Sequence, residues 1–444
     1  MAHDRRAERR ATLTLAAPLV VAFAGNQLLS LVDTLVAGRL GAVEIAAVGL
    51  GGALFFLATV FPFGVLMGLD PVASQALGAG RPAEARAAYH EAVVLAVLLA
   101  PLAVLLALGM APAALGSVGV APEVQAEVHR YLWGRLPSAL PMLLVAAQRG
   151  FLQASEQPRA VLVTTLVANA VNLPASWLFA KGDAGLQAFG LPAAGLGAGL
   201  GVLGIGVASS LVGALQALLL GFAARRVPGP AGRISLAGLR RLLHFGWPVG
   251  GAFFLEAGLF STVTVLAGGF GTTATGAHQV ALQVASFTFT VCLGLSAAAA
   301  VRTGHAIGRG DRPGARRASV AALELALAFM GTTALAFVLI PGPIARAMSP
   351  DPAVVEAAIP LLRIAGFFQL FDGLQATAAG ALRGRGDTRI TLVWAVVGHW
   401  GIGLPVGLAL AWPLGLGVAG LWWGLLAALF VAAVSLVGRL LRAA

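Results

Sequence analysis

Three carboxylates stand where an apolar environment should exclude them. Asp33, Glu256 and Asp372 each interrupt an apolar stretch long enough to cross a bilayer, and an acid at the centre of a spanning helix costs roughly 2.5 to 3.5 kcal/mol on insertion scales. Acids kept at such positions usually face a water-filled cavity and bind protons, ions or cationic groups. The chemistry they offer is reversible binding of positive charge. Asn26, Gln27, Asn169, Asn172, Gln279, Gln283, Gln369 and Gln375 share the apolar stretches. They can line a cavity or join neighbouring helices, at about 0.6 kcal/mol per pair. Gln279 and Gln283 lie four apart, on one helix face. His278 beside them reads as a helix contact. Asp70 and Glu324 fall toward helix ends, where water or a partner can meet them.

The elements that position these groups follow from hydropathy. Hydrophobic residues make up 59% of the chain and charged residues 11%, with a mean hydropathy of +0.89, against about 25% charged in a soluble domain. The chain reads as all-α and polytopic. Twelve spans are expected, near 12–37, 46–79, 88–111, 126–153, 158–181, 192–224, 238–269, 273–308, 316–341, 352–384, 388–412 and 415–440. Placing the N-terminus inside puts 23 of the basic residues in cytoplasmic segments and 3 outside, with Arg130, Arg135 and Arg363 left within spans. The net charge of +11 is therefore a topology signal with both termini cytoplasmic, and nucleic acid is not expected as a partner. Arg5–Arg10 ahead of Ala22-Phe23-Ala24 has the outline of a secretory leader. The apolar run continues to Ala37, so this segment is expected to remain as the first span. Cys292, the single cysteine, excludes an internal disulfide and reads as a small core residue.

Shifting the sequence against itself by 230 residues aligns Pro18 with Pro248, Gly38 with Gly268, Gly41 with Gly271, Gly78 with Gly308, Gly80 with Gly310 and Gly150 with Gly380. The chain is thus expected to hold two parallel six-helix bundles, 1–224 and 238–444, joined by a cytoplasmic linker at 225–237. Two such bundles with a site between them suit alternating access. Under the offset Glu256 aligns with Asn26, Asp372 with Met142 and Asp33 with Val263. None of the three acids is a requirement of the repeated unit.

The segments LAAPLVVAFAGNQLLSLVDTLVAGRLG (15–41), QALGAGR (75–81), FGWPVGGAFFLEAGLF (245–260), GAHQVALQ (276–283), RTGHAIGRGD (302–311) and FDGLQATAAGALRGRGD (371–387) resemble the multidrug and toxic compound extrusion family, MATE, in its NorM-like branch. The resemblance implies ion coupling at Glu256 and Asp372, with Asp33 taking part in the first bundle and Pro18 at a helix bend. It departs from the family in three places, one of them Asp70-Pro71, an unusual acid for the second helix. Ser176 stands four residues after Asn172, where the DinF-like branch carries an acid. Phe289 replaces a tyrosine, keeping an aromatic face for cation–π attraction of roughly 0.5 to 2 kcal/mol but no hydroxyl.

The expectation is a monomeric, cation-coupled antiporter in the bacterial cytoplasmic membrane, in contact with membrane lipids and exporting small organic cations and lipophilic drugs. Asn26, Gln27, Asn172, Gln279, Gln283 and Phe289 would line its cavity. No cofactor is called for; the coupling ion is H⁺ or Na⁺, and Na⁺ would bind at Glu256 and Asp372. A lipid-linked oligosaccharide flippase of the same superfamily is the nearer alternative, since Arg130, Arg135 and Arg363 could meet a diphosphate. An integral membrane enzyme is the remoter one, because the seven histidines show no HExxH and no GxSxG appears. Gly199, Gly201 and Gly204 formally fit GxGxxG, and read as packing glycines of an apolar helix.

Overall fold

Segments this apolar have no water to bond, so each must satisfy its own backbone, and helices result. The computed structural model describes residues 2–442 except Val118, Phe189, Leu196 and Ala231. The outermost residues of the two expected bundles (Met1, Ala443 and Ala444), Ala231 in the expected linker, and the side chain of Arg5 lie outside the described part. In the first half run α1 (Ala2–Gly38), α2 (Ala42–Leu66), α3 (Leu69–Gly78), α4 (Pro82–Ser117), α5 (Pro122–Arg135), α6 (Ala139–Ala154), α7 (Pro158–Lys181), α8 (Asp183–Gln187) and α9 (Val202–Arg226). In the second run α10 (Leu236–Gly268), α11 (Thr272–Gly308), α12 (Arg312–Leu339), α13 (Pro341–Met348), α14 (Pro352–Arg385), α15 (Arg389–Trp394), α16 (Leu404–Ala411) and α17 (Gly417–Arg442).

Eleven helical stretches among the described residues are long and apolar enough to cross a bilayer. The twelfth expected span, 126–153, is present in pieces. Pro137 lacks the N–H that a continuing helix needs, and a 3₁₀ turn at Leu136–Ser138 joins α5 to α6. The span expected at 46–79 breaks at Met67–Gly68, between α2 and α3. That expected at 192–224 starts ten residues late, at Val202.

The late start corrects the reading of the GxGxxG glycines. Gly199 and Gly201 have φ of 81° and 59°, a left-handed backbone that glycine adopts without steric cost. They belong to the turn before α9, and only Gly204 is a helix-packing glycine. A Cβ there would lie 2.2 Å from the Phe179 carbonyl oxygen. Gly204→Ala is therefore expected to destabilise the protein by about 1–3 kcal/mol, read as a lower unfolding temperature in detergent.

The chain forms two compact units that do not coincide with the sequence halves. One contains the chain up to Val20, Asp70–Pro82, and everything from His244 onward; the other contains Val21–Leu69 and Ala83–Leu243. Two segments of the first repeat thus pack within the unit of the second. Leu15 and Ala16 of α1 join Cys292, Leu295 and Met330 in one apolar cluster. The rest of α3 is clamped there by close backbone approach, since a Cβ on Gly308 would lie 2.1 Å from the Gln75 carbonyl oxygen. The core of this unit gathers Leu259, Phe368, Leu425 and the fully buried Trp422. In the other unit Val36, Ala37, Tyr131 and Ile205 pack together.

Small residues set the helix spacing, as in other membrane bundles. A Cβ on Gly424 of α17 would stand 2.4 Å from the Gly407 Cα of α16, so the two backbones touch there. Ahead of α16 the chain makes a π-helical stretch at Ala395–Gly403, just before Pro405, whose ring cannot take part in the regular ladder.

Candidate functional site

Asp33 sits in α1 and is buried, with 3% of its surface exposed. Its carboxylate accepts from Ser209 Oγ at 2.6 Å, Ser176 Oγ at 3.3 Å and Asn172 Nδ2 at 3.4 Å. Arg135 Nη1 lies 3.6 Å away, with its guanidinium over the Phe55 ring. The expected cavity residue Asn172 therefore meets Asp33, and Ser176, standing where a second acid was looked for, donates to it. Arg135, one of the span arginines that could meet a diphosphate, instead meets this acid. The signal was its position, because a charged side chain inside a span generally finds an opposite charge. The acid is thus balanced: three donors and one guanidinium surround it.

Glu256 and Asp372 are built differently. They come from α10 and α14, their charges act on one another, and among the described residues neither pairs with an arginine or lysine. Gln375, one turn along α14, reaches Glu256 as a hydrogen-bond partner, and His399 is its other polar neighbour. Glu256, Gln375, His399, Trp394, Phe253 and Arg383 line a small cavity. His399 is 1% exposed, and both of its ring nitrogens lack a partner, as does Gln375 Oε1. A buried imidazole without partners is costly. Sequence reading passed over His399 because it sought ligand pairs and found none; the proline six residues on, which marks the π-helical stretch, was the available signal.

The other expected site residues are dispersed. Asn26 is half-buried and Gln27 exposed; Gln279 and Gln283 both stand on an exposed face of α11. Phe289 packs against the cluster around Cys292 and Met330. Gln369 donates to Thr288 Oγ1. His278 is a helix contact: it accepts from Trp422 Nε1 at 3.2 Å on Nδ1, so Nε2 carries the proton toward Thr264 Oγ1 at 2.9 Å. α1 runs helically through Pro18, two residues before the chain passes from one compact unit to the other. Glu324 pairs with Arg9 at 2.6 Å and Asp70 with Arg383 at 2.8 Å, so both acids are partnered.

A duplicated, multi-pass helical membrane protein with acids inside its spans is the class these features define. The MatE family model matches it twice, over residues 18–178 and 248–408, and the chain belongs to that family. The two matches begin 230 residues apart, the offset at which the sequence aligns with itself. Along 96% of its length the chain is 38% identical to the multidrug resistance protein NorM of Burkholderia vietnamiensis, covering 92% of that protein. It is 37% identical to the probable multidrug resistance protein NorM of Deinococcus radiodurans, over 98% of this chain and 95% of that one. Among solved structures, the eukaryotic MATE transporter AtDTX14 superposes with a TM-score of 0.89 over 99% of this chain and 96% of that one. At 19% identity that likeness speaks to the fold alone.

Proposed function

We propose that this protein is a cation-coupled multidrug antiporter, exporting amphipathic organic cations from the cytoplasm by alternating access. The observation that carries this reading is the pair Glu256 and Asp372, two acids of separate helices that act on each other, Glu256 lining a cavity, with no arginine or lysine paired to either among the described residues. Two uncompensated carboxylates in a low-dielectric setting demand positive charge. An H⁺ or Na⁺ supplies it from one side of the membrane and the drug competes for it from the other. Coupling follows if the ion favours one facing state over the other; equal affinity for both would transfer no gradient energy. Asp33 takes a subsidiary part, because Arg135 already balances its charge. Membership in a family whose relatives are named for multidrug resistance supports the export of drugs.

The lipid-flippase alternative draws less support from these three arginines. Arg135 faces Asp33 and Arg130 pairs with Glu127 at 3.0 Å, while Arg363 is exposed. The deciding experiment is efflux of a fluorescent organic cation from proteoliposomes under an imposed pH gradient and, separately, an imposed Na⁺ gradient. One of the two is expected to drive efflux. No efflux under either, from correctly inserted protein, would discard the antiport reading and favour a lipid substrate.

A further inference from the structure

Arg383 belongs to two structures at once. Its Nε donates to Asp70 Oδ2 at 2.8 Å, an ion pair in which the side chains are 4% and 8% exposed. It also lines the Glu256 cavity. Gln375, Ala379 and Arg383 recur at four-residue spacing along α14, so they form one stripe of that cavity wall. Helix side chains lean toward the N-terminus, which aims Arg383 up the stripe toward Gln375 and Glu256. The rise over those eight residues is about 12 Å, and a long guanidinium side chain closes much of it.

Asp70 opens α3, the segment of the first repeat that packs within the unit of the second. Gln75 Nε2 adds a bond to the Gly384 carbonyl at 2.9 Å. A Cβ on Gly304 would meet the Ser74 hydroxyl. The α-helical backbone is interrupted at Met67–Gly68, so α3 begins as a helix of its own. If α3 left, Arg383 would remain buried without its acid, a state that costs several kcal/mol unless another carboxylate receives it. Glu256 is the acid available on the same cavity, with Asp372 beside it and His399 as the other titratable group facing it.

We infer that Asp70 and Arg383 form a latch on α3 and that Arg383, once released from Asp70, competes with the coupling ion for Glu256. With the latch shut, Arg383 is committed to Asp70 and Glu256 is open to the ion. With the latch open, Arg383 turns toward Glu256 and expels the ion. Linkage makes the relation reciprocal: bound ion holds the latch shut to the extent that an open latch weakens ion binding. The inference rests on the antiport reading for its use, since it gives the ion different affinities in two states of α3.

The test places a single reporter thiol in α3, Ala76→Cys in a Cys292→Ser background, Ala76 being 5% exposed. It is labelled with a membrane-impermeant maleimide in inside-out vesicles, with and without Na⁺ and, separately, at low and at high H⁺ concentration. Bound ion is expected to slow labelling, and Glu256→Gln to make it slow whether or not ion is present. Asp70→Asn should raise the rate about tenfold and weaken apparent ion affinity, while Asp70→Asn with Arg383→Gln should restore affinity to within about twofold of wild type. That reversal separates a competing cation from a merely structural pair, whose two losses would accumulate. Ion affinity as weak in the double variant as in Asp70→Asn would overturn the inference, as would unchanged labelling in Asp70→Asn. If these variants do not fold, the reporter with the ion pair intact decides: labelling indifferent to ion overturns the latch. A reporter that slows with ion in a protein showing no gradient-driven efflux would instead remove the antiport reading and leave the latch standing.

Discussion

Glu256→Gln and Asp372→Asn are each expected to lower gradient-driven efflux of an organic cation at least about a hundredfold, equivalent to roughly 2.7 kcal/mol of lost driving interaction. Each amide keeps the shape of the acid and removes only the charge. The size of the effect follows from the charge set around the cavity. Glu256 lines it and acts on Asp372 of α14; among the described residues neither acid pairs with an arginine or lysine, so neutralising one removes half of the negative charge that ion and drug share. The same variants should unfold at or above the wild-type temperature in detergent, because a mutual repulsion has been relieved. Efflux at wild-type rate with unchanged ion dependence in both would end the proposed mechanism.

Arg135→Leu is expected to act the opposite way, on stability first. It leaves the buried Asp33 carboxylate with hydroxyl and amide donors but no counter-charge. Loss of one partner of a buried pair costs about 3–5 kcal/mol; Arg135 is 27% exposed and 3.6 Å distant, which brings the expectation to about 2–3 kcal/mol. Asp33→Asn should be milder, and the double variant should recover part of the loss. Thermal unfolding of the four proteins closes the cycle. Strict additivity would show that Arg135 does not compensate Asp33.

The two predictions rest on different degrees of legibility. Hydropathy located the spans, and the rarity of acids within them singled out Asp33, Glu256 and Asp372. What the sequence withheld was the partner of each. Asp33 meets Ser209 across 176 residues and Asp70 meets Arg383 across 313, and a single chain carries no signal of which helices adjoin. Arg135 and Arg383 are legible as basic residues, but a charge count along the chain says nothing of which acid each one meets. The broken spans are local matters and were readable in principle. Pro137 and the glycines before Val202 sit in plain view, but an apolar window averages over them. Gln279 and Gln283 share one face of α11, as their spacing indicates, and that face is exposed.

The contact between Gly407 and Gly424 has a mechanical side. Where two helices meet through side chains, rotamer changes let one slide a little before the other follows. α16 and α17 have no such slack at this point, because backbone bears directly on backbone. They should travel as a single stave, so spin labels placed on their exposed faces would keep one separation throughout the transport cycle while other distances in the protein change.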